Sequence, residues 1–263
     1  MRHCYILRVF TRDDLGGNYL GVITDITGLD PALMQRIATH LGFSETVFLD
    51  WSRGGIPQAR IFTPAIELPF AGHPLVGAAW VLGAVGPGTT DRVSCGIGEV
   101  RFESDFSGAR IEVPLSRDVE EAPARDVAAA GLPAAVRAWM VRLPLRYLVA
   151  EVGSRASVAS MVPNFGALEV ADWDGTMVFS RTGTAVKTRF FAPRLGVPED
   201  PATGSAAAAL AAALSAAGEA EGSLVLEQGD EVGAPSSISL SWSGSSARIG
   251  GSVRREGVRV LEW

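Results

Sequence analysis

The sequence predicts an α+β protein made of two similar domains. Three observations lead to this prediction. The chain has 263 residues, and single hydrophobic cores stop growing near this size, so longer chains divide into domains. Strand patterns alternate along the chain with patterns typical of helices. Finally, one segment of the first half returns in altered form in the second half.

The first elements of the chain are two strands and a helix. The runs YILRVF and YLGVIT, separated by the turn-rich RDDLGGN, are typical of strands. The segment DPALMQRIATHLG predicts a helix with Asp30 as N-cap, Pro31 in the first helical position and Gly42 at its end. Its buried face is expected to carry apolar residues at helical spacing: Leu33, Ile37 and Leu41. The next strand, SETVFLDW, has Glu45 near its start.

The repeated segment indicates two similar domains most directly. RIFTPAIELPFAGHPLVGAAWVL, which starts at Arg60, is matched by RFFAPRLGVPEDPATGSAAAALAAAL, which starts at Arg189. Four pairs share the offset of 129 between Arg60 and Arg189, the other three being Phe62 and Phe191, Pro64 and Pro193, and Pro69 and Pro198. In both copies a strand runs into a Pro/Gly turn and then into a helix of small residues. Because this period is too long for a solenoid, it indicates a duplicated domain.

The boundary between the two domains is predicted in the polar, turn-prone stretch SRDVEEAPARDVAAAG. We expect an N-terminal domain over residues 1–116, a C-terminal domain over residues 117–251, and an active site in the cleft between them. The run VRREGVRVLEW has a strand pattern, and GGSVRR looks like the turn that precedes it. Residues 252–263 are therefore expected to return as a strand to the sheet of the first domain.

The charge and hydropathy of the chain argue against several classes of partner. A formal net charge of -6 at pH 7, with scattered basic residues, argues against nucleic acid. No segment offers the roughly 20 apolar residues of a membrane span, and the N-terminal stretch meets charged residues too early for a signal peptide. We therefore expect a soluble cytoplasmic protein without membrane contacts, in which Cys4 and Cys95 are unpaired thiols.

Sequence motifs for metal or cofactor binding are missing from the chain. The three histidines do not show the spacing of a metal site: His3, His40 and His73. No glycine-rich phosphate loop occurs. A Schiff-base cofactor would depend on the one lysine, Lys187, whose place in the alternating run TAVKTRFF favours a solvated side chain. The sequence therefore predicts neither a metal nor an organic cofactor.

Each copy of the repeat places a turn at the start of a helix. The residues that open the two helices are Gly72, His73 and Pro74 in the first copy and Thr203, Gly204 and Ser205 in the second. Helix N-termini carry unpaired N–H groups and a partial positive charge, worth about 0.3–2 kcal/mol for a nearby anion. Ordinary helix capping explains either junction alone. Two junctions that face one cleft between domains predict a small anionic substrate with a carboxylate.

Several longer motifs follow one another between Gly17 and Ser236. They are GNYLGVI, LGFSETVFL, RIFTPAIELPFAGHPLVGAAWVL, FFAPRLGVPEDPATGSAAAALAAAL and QGDEVGAPS. In this order they resemble the signatures of the phenazine-biosynthesis PhzF-like family. The resemblance implies a fold similar to diaminopimelate epimerase, with two pseudo-symmetric domains that are each a curled antiparallel sheet around a central helix. It also implies a homodimeric isomerase that uses no metal or organic cofactor.

The same resemblance assigns candidate site residues. The candidate catalytic residues, at the family's polar active-site positions, are Glu45, His73 and Asp200. The candidate substrate-binding residues, near the pocket and at the two helix starts, are Asn18, Gly72, Thr203, Gly204 and Ser205. Of these, Gly204 and Ser205 match the family's carboxylate-binding turn. A related branch of the fold uses two cysteines, and the matching positions here hold Ala71 and Ala202. A two-cysteine racemase is therefore not expected.

These residue types suit proton transfer between carbon atoms. A partly desolvated glutamate can have its pKa raised to about 6–7, so that Glu45 takes a proton from one carbon and returns it to another on the same face. We therefore predict an isomerase that acts on a small carboxylate. Two alternatives stay open. One is an acid–base lyase or dehydratase that expels a leaving group after the same first step, and the other is a binding protein that has lost catalysis.

Three positions depart from the family pattern. Tyr19 stands where proline is usual, Leu75 where threonine is frequent, and Ala234 where arginine is common. Tyr19 is expected to reshape one wall of the pocket, and Ala234 removes an anion contact. The candidate catalytic residues are intact. The resemblance therefore predicts the fold and the base, but not the identity of the substrate.

Overall fold

A computed structural model describes residues 2–52, 54–86, 88, 90–132 and 135–262. The strands up to Pro114 are β1 (Arg2–Thr11), β2 (Asn18–Ile23), β3 (Glu45–Asp50), β4 (Gln58–Phe62), β5 (Glu67–Leu68), β6 (Arg92–Cys95), β7 (Gly98–Ser104) and β8 (Gly108–Pro114). The later strands are β9 (Val119–Glu121), β10 (Ala135–Arg142), β11 (Arg146–Val152), β12 (Gly175–Thr182), β13 (Ala185–Ala192), β14 (Val197–Asp200), β15 (Glu221–Gln228), β16 (Ser236–Ser243) and β17 (Ser246–Leu261). The helices are α1 (Pro31–Leu41), α2 (Gly72–Val85), α3 (Ala124–Ala129), α4 (Arg155–Ser160), α5 (Phe165–Glu169) and α6 (Gly204–Ala216), with short 3-10 turns at Pro193–Leu195 and Asp230–Val232. This mixture of strands and helices confirms the α+β prediction.

The pairing of strands repeats between the two halves of the chain. In the first half, β2 is parallel to β3 and β4 is parallel to β6, whereas consecutive strands such as β3 and β4 are antiparallel. In the second half the same parallel pairs recur, with β11 beside β12 and β13 beside β15. The two halves therefore share one topology. Each half therefore has a mixed sheet, whereas an antiparallel sheet was expected.

Arg60 and Arg189 show the repeat at the level of side chains. Each guanidinium lies over the ring of the phenylalanine two residues later, at 5.2 Å and 4.9 Å from the ring centre. Each also donates two hydrogen bonds to one glutamate, Glu67 in the first half and Glu199 in the second. The two arginines therefore occupy the same place in their halves, as the sequence repeat predicted.

The repeat loses its constant offset after these strands. Glu67 follows its arginine by seven residues, whereas Glu199 follows by ten. The second copy has therefore gained three residues before its helix. As a result Pro69 corresponds to Pro201 in the structure, since each lies three residues before a helix start. The predicted match of Pro69 with Pro198 is wrong.

The helices α2 and α6 form the centres of the two halves. Most residues of both helices are buried, and small residues are frequent in α2 and predominate in α6. A helix that is apolar on all sides is typically surrounded by protein. Buried side chains of both halves form one continuous apolar cluster around them. Within the described part of the chain, no helix is long and apolar enough to cross a membrane.

Helix α1 begins and ends as its sequence predicts. The Asp30 carboxylate accepts a hydrogen bond from the backbone N–H of Leu33 at 2.7 Å, and Gly42 has a positive φ of 68°. The predicted buried face is only partly correct. Ile37 is buried, but Leu33 and Leu41 are half-buried, because the helix turns the residues Met34, Ile37 and Ala38 towards the sheet.

The strand β17 pairs with strands of both halves. Its first part pairs with β16 and β8, and residues 252–261 pair with β1. The predicted turn at GGSVRR is wrong, because Gly250 and Gly251 lie inside this strand. A Cβ at Gly251 would lie 2.7 Å from the Phe10 ring and 2.9 Å from the backbone oxygen of Ser237. Glycine therefore allows close strand packing here. The division at residues 116 and 117 stays a prediction.

Lys187 is buried, so the prediction of a solvated lysine is wrong. Its side chain is 6% exposed, and its Nζ lies 2.7 Å from an oxygen of Asp230 and 2.8 Å from one of Glu231. A buried ammonium group needs such partners, because leaving water without them is very unfavourable. The alternating pattern of β13 correctly predicted a strand. It could not show that the 3-10 turn Asp230–Val232 would cover this side chain.

Candidate active site

The N-termini of α2 and α6 meet inside the molecule. A Cβ added to Gly72 would lie 2.6 Å from the carbonyl carbon of Gly204, and a Cβ added to Gly204 would lie 2.9 Å from the Cα of Gly72. Both contacts are too close for a side chain, so this approach requires glycine at both positions. The two junctions that the sequence predicts to face one cleft are therefore in direct contact.

Both helices begin without a side-chain cap. The N-cap of α2 is Ala71, which has no polar side chain, and the N-cap of α6 is Thr203, whose hydroxyl donates to Asp200 instead. The first N–H groups of a helix have no partner within the helix. Here the partial positive charges of two helix starts also add at one point. The junction is therefore suited to bind an anion such as a carboxylate.

Glu45 begins β3 and lies beside this junction. Its side chain is 15% exposed, and its Oε2 lies 3.3 Å from Nδ1 of His73. This oxygen has no hydrogen-bond partner among the described residues. Burial of the carboxyl group, together with the charge of nearby Asp200, raises the pKa of Glu45 to about 8. At neutral pH the group is therefore mostly protonated, and its ionised form is an unusually strong base for a carboxylate.

His73 is an uncharged neighbour of Glu45. It is 3% exposed, and burial lowers the pKa of its imidazole to about 3. The close approach of the two side chains is therefore a contact between a carboxylic acid and a neutral imidazole at neutral pH. Its Nε2 is buried and has no partner in the part of the chain that the structure describes. The protein encloses this nitrogen, so it does not face solvent.

Asp200 ends β14 and accepts hydrogen bonds on both carboxylate oxygens. Nδ2 of Asn18 donates to Oδ1 at 2.8 Å, and the hydroxyl of Thr203 donates to Oδ2 at 2.5 Å. Burial raises the pKa of Asp200 to about 6, while these two hydrogen bonds lower it. Of the two neighbouring carboxyl groups, Asp200 is therefore the one that ionises first, and Glu45 retains its proton to higher pH.

Asn18 connects the two halves of the site. It is the first residue of β2, whose parallel neighbour is β3, and this pairing brings it close to Glu45. The Ser44 hydroxyl donates to Oδ1 of Asn18 at 2.9 Å, which turns the Nδ2 group towards the second half. There Nδ2 donates to Asp200 and to the backbone oxygen of Ala202, at 2.8 Å and 3.2 Å.

A small cavity of about 30 Å³ lies against these groups. The predicted residues that line it are Glu45, Asp200, Thr203 and Ser205. The other predicted residues do not line the cavity but contact or adjoin residues that do: Asn18, Gly72, His73 and Gly204. The remaining wall is mainly apolar, with Leu68, Phe70, Leu145, Phe190, Leu195 and Val197. Small-molecule sites commonly combine an apolar wall with a few convergent polar groups, and the residues that line this cavity have that composition.

Three residues that the sequence analysis did not single out complete the site. The buried hydroxyl of Tyr147 donates to Oγ of Ser205 at 3.1 Å, and burial raises the pKa of this phenol. Ser44 orients Asn18 through a hydrogen bond, and Gln228 donates hydrogen bonds to Asp200 and Thr203, which precede α6. Ser44 and Gln228 lie within family motifs, which is the signal that could have identified them. Tyr147 lies in the plain strand sequence RYLVAEV and carries no such signal.

The second half has no counterpart of Glu45. In its aligned strands, Gly175 takes the position that Glu45 has in the first half. A Cβ there would lie 2.2 Å from the Phe190 ring, so this ring fills the place of a second acid–base group. Cys4 and Cys95 are free thiols, and neither lines the cavity. The site therefore presents the carboxyl groups of Glu45 and Asp200, without the paired cysteines of the related branch.

The three departures from the family pattern lie away from the cavity lining. Tyr19 is 46% exposed and stacks on the ring of Phe43, so the prediction that it reshapes a wall of the pocket is wrong. Leu75 is fully buried in the apolar core. Within the described residues, no group of three or more His, Cys, Asp or Glu side chains has the arrangement of a metal site.

Comparisons with known proteins agree with this fold and its motifs. Residues 7–260 match a family model described as phenazine biosynthesis-like protein, PhzC-PhzF. A trans-2,3-dihydro-3-hydroxyanthranilate isomerase of Pseudomonas chlororaphis is 34% identical over 90% of this chain and 88% of its own length. The enzyme of the same name from Pseudomonas fluorescens is 32% identical over 95% of this chain and 93% of its own.

A solved structure shows the same architecture. The PhzF family protein of Bacillus anthracis superposes with a TM-score of 0.83 at 19% identity, covering 99% of both chains. This likeness confirms the predicted fold, and the curated relatives are isomerases by name. The chain therefore belongs to the phenazine biosynthesis-like PhzC-PhzF family and is an isomerase-type enzyme, as its motifs predicted.

Proposed function

We propose that this chain isomerises a small carboxylate-bearing molecule by moving a proton between two of its carbon atoms, with Glu45 as the acid–base group. One observation carries the proposal. Glu45 is a mostly buried carboxyl group with a raised pKa, and it lines a cavity next to the point where two helix N-termini meet. The helix starts account for the binding of an anion, and the carboxyl group accounts for proton transfer.

The proposed step uses Glu45 twice. Its ionised form takes a proton from one carbon, and the electron pair of the broken C–H bond moves into the π system of the substrate. The protonated Glu45 then returns the proton to another carbon on the same face. With a pKa of about 8, roughly one molecule in ten has the ionised form at pH 7. A positioned acid–base group contributes about 10²–10⁴-fold to such a reaction.

The other groups are proposed to hold the substrate in place. The backbone N–H groups of Gly204 and Ser205 bind its carboxylate, and the N–H groups at Gly72 lie beside them. Ionised Asp200 accepts a hydrogen bond from a hydroxyl or amino group, and neutral His73 contacts Glu45 from outside the cavity lining. The apolar wall contacts the hydrocarbon part. The compound in the relatives' names, trans-2,3-dihydro-3-hydroxyanthranilate, has these kinds of groups and is the first candidate substrate.

We also propose that the reaction needs neither a metal nor an organic cofactor, since a carboxyl group alone can carry out this proton transfer. Activity that survives dialysis against a chelator is the expected result, and activity restored only by an added metal would contradict it. A cytoplasmic homodimer remains the prediction from the family resemblance. Light scattering of the purified protein measures the oligomeric state directly.

The test of the proposed function is proton NMR in D₂O with wild type and Glu45→Gln side by side. The candidate substrate and a panel of related cyclic and amino acids are incubated with each protein. Wild type should produce deuterium exchange or a product of unchanged mass, and Glu45→Gln should lose at least about 10²-fold of this activity. Equal turnover by both proteins would refute the role of Glu45. A product that has lost water would identify a dehydratase instead.

A further inference from the structure

The motif QGDEVGAPS has no role in the function proposed so far. It corresponds to residues 228–236, here called the bracing segment, which connects β15 to β16. The segment passes behind the cavity and contacts two loops of the site. One loop carries Asp200 and Thr203, and the other leads into Asn18. These contacts are made by buried polar side chains and by close backbone approaches, so the segment has a defined place relative to both loops.

Gln228, the first residue of the bracing segment, is 1% exposed and uses its whole amide group on the Asp200 loop. Its Nε2 donates to the backbone oxygen of Asp200 at 2.7 Å and to Oγ1 of Thr203 at 3.0 Å. Its Oε1 accepts from the backbone N–H of Thr203 at 3.3 Å. Because Gln228 occupies a lone pair of the Thr203 hydroxyl, that hydroxyl directs its proton to Oδ2 of Asp200.

Two glycine contacts hold the bracing segment against the loops. A Cβ on Gly229 would lie 2.6 Å from the backbone oxygen of Pro201, next to Asp200. A Cβ on Gly16 would lie 2.0 Å from the backbone oxygen of Pro235, and the N–H of Gly17 donates to this same oxygen at 3.2 Å. The loops before Asn18 and after Asp200 are therefore packed on one segment.

Lys187 binds the bracing segment through two ion pairs. Its buried ammonium group binds both Asp230 and Glu231, the two acidic residues that directly follow Gly229. Arg12, from the loop that leads towards Asn18, also binds Asp230. This ion pairing gives the buried lysine a structural role next to the site. It also restricts the movement of the backbone on which Gln228 sits.

The ionised form of Asp200 depends on these hydrogen bonds because no cation among the described residues faces it. The titratable groups that face it from the packed elements are Glu45 on β3, His73 on α2 and Tyr147 on β11. At neutral pH none of these three carries a positive charge. Hydrogen bonds from uncharged donors, Asn18 and Thr203, are therefore what stabilises the Asp200 carboxylate.

We infer that Gln228 is a positioning residue, which acts through the Thr203 hydroxyl to keep Asp200 ionised and correctly oriented for the isomerisation. This inference rests on the proposed function for its catalytic consequence only. The hydrogen-bond chain runs from Gln228 to Thr203 and from Thr203 to Asp200, and it ends where the substrate is proposed to bind. Gln228 itself does not line the cavity, so it has no contact with the substrate.

The first test measures the Asp200 carboxyl group directly and needs no substrate. Carbon-13 NMR of aspartate-labelled protein follows its titration in wild type, Gln228→Met and Gln228→Leu. Both variants lose the donor to Thr203, and the Asp200 pKa should rise by about one unit in each. Two variants are used so that a folded one is available for the measurement. An Asp200 titration unchanged in the folded variants would overturn the inference.

The second test separates positioning from a general loss of stability. Thr188→Val is the matched control, because Thr188 is a buried residue whose hydroxyl donates to the backbone oxygen of Val178, away from the cavity. Gln228→Met should lower kcat by about 10–100-fold and leave KM within about threefold, whereas the control should keep both constants. Equal kinetics of Gln228→Met and the control would overturn the inference.

A double variant tests whether Gln228 acts through Thr203. Thr203→Val removes the same hydroxyl proton, so it should raise the Asp200 pKa, and adding Gln228→Met should change this pKa little further. Additive shifts would overturn the proposed route. If no member of the substrate panel is turned over, the proposed function fails, while the NMR titrations still decide the inference about Gln228.

Discussion

Replacing Glu45 with glutamine changes the pH dependence of stability in a way that follows from the site. Burial and Asp200 raise the pKa of Glu45 from 4.5 to about 8 in the folded protein. Between these two values the folded chain holds a proton on Glu45 that the unfolded chain has lost. Folding therefore becomes less favourable as pH rises through this window, since the unfolded state releases the proton first. Glutamine keeps the shape of the side chain and has no such proton to lose.

The size of the effect follows from the width of that window. At pH 5 the gap is about 0.5 pH units, or about 1 kcal/mol. At pH 7 it is about 2.5 units, or roughly 3 kcal/mol, and at pH 8 it approaches about 4 kcal/mol. Glu45→Gln should therefore be more stable than wild type by about these amounts. An active-site group that lowers stability for the sake of function is a common arrangement.

The assay is urea unfolding of wild type and Glu45→Gln at pH 5, 7 and 8. The control is Glu103→Gln, because Glu103 is exposed on β7. The control should show nearly the same difference from wild type at all three pH values, whereas the Glu45→Gln difference should grow with pH. A Glu45→Gln difference that is constant across the three values would show that the pKa of Glu45 is ordinary. The proposed base would then lose its physical basis.

Three further predictions concern the surroundings of Glu45. Asp200→Asn should lower the Glu45 pKa, because it removes the nearby negative charge; carbon-13 NMR of labelled Glu45 checks this, and an unchanged titration would contradict it. In the same urea experiment, Gly72→Ala should lower the free energy of unfolding by about 1–3 kcal/mol, because its methyl group would lie 2.6 Å from a backbone atom of Gly204. The control Gly83→Ala should be nearly neutral, because its methyl group would meet only the movable side chain of Ser104. Lys187→Met should lower that free energy by on the order of 3 kcal/mol, because two carboxylates lose their buried partner; unchanged stability would mean that the ion pairs contribute little.

The sequence predicted the parts of the site that depend on backbone geometry and on motifs. Gly72 and Gly204 open their helices at corresponding places of a visible repeat, so their meeting could be expected. Glu45 and Asp200 were identified through the family motifs around them. The separation of their pKa values could not be predicted, because it depends on burial and on hydrogen bonds from Asn18 and Thr203, which come from distant parts of the chain.

The incorrect or missed predictions share a physical cause: a segment distant in the sequence packs over the residue and changes its surroundings. Lys187 lies in an alternating strand pattern that fits an outward-facing side chain, and only the turn at Asp230 makes it buried. Gly251 looks like a turn residue until the Phe10 ring is found against it. Tyr147 has the pattern of an ordinary strand residue, and its hydroxyl becomes part of the site only because α6 begins beside it. A local pattern carries no information about such long-range neighbours.

The pairing of β1 with β17 has a consequence for the order in which the chain can fold during synthesis. Arg8 lies opposite Arg254, so the partner of β1 is synthesised long after β1 itself. Until then β1 pairs with β2 on one side and exposes an unpaired edge on the other, and such edges invite aggregation. Contacts between segments so far apart also slow folding. The first half of this molecule is therefore translated early but completed only after β17 has been made, and the open edge of β1 is a place where a chaperone would protect the growing chain.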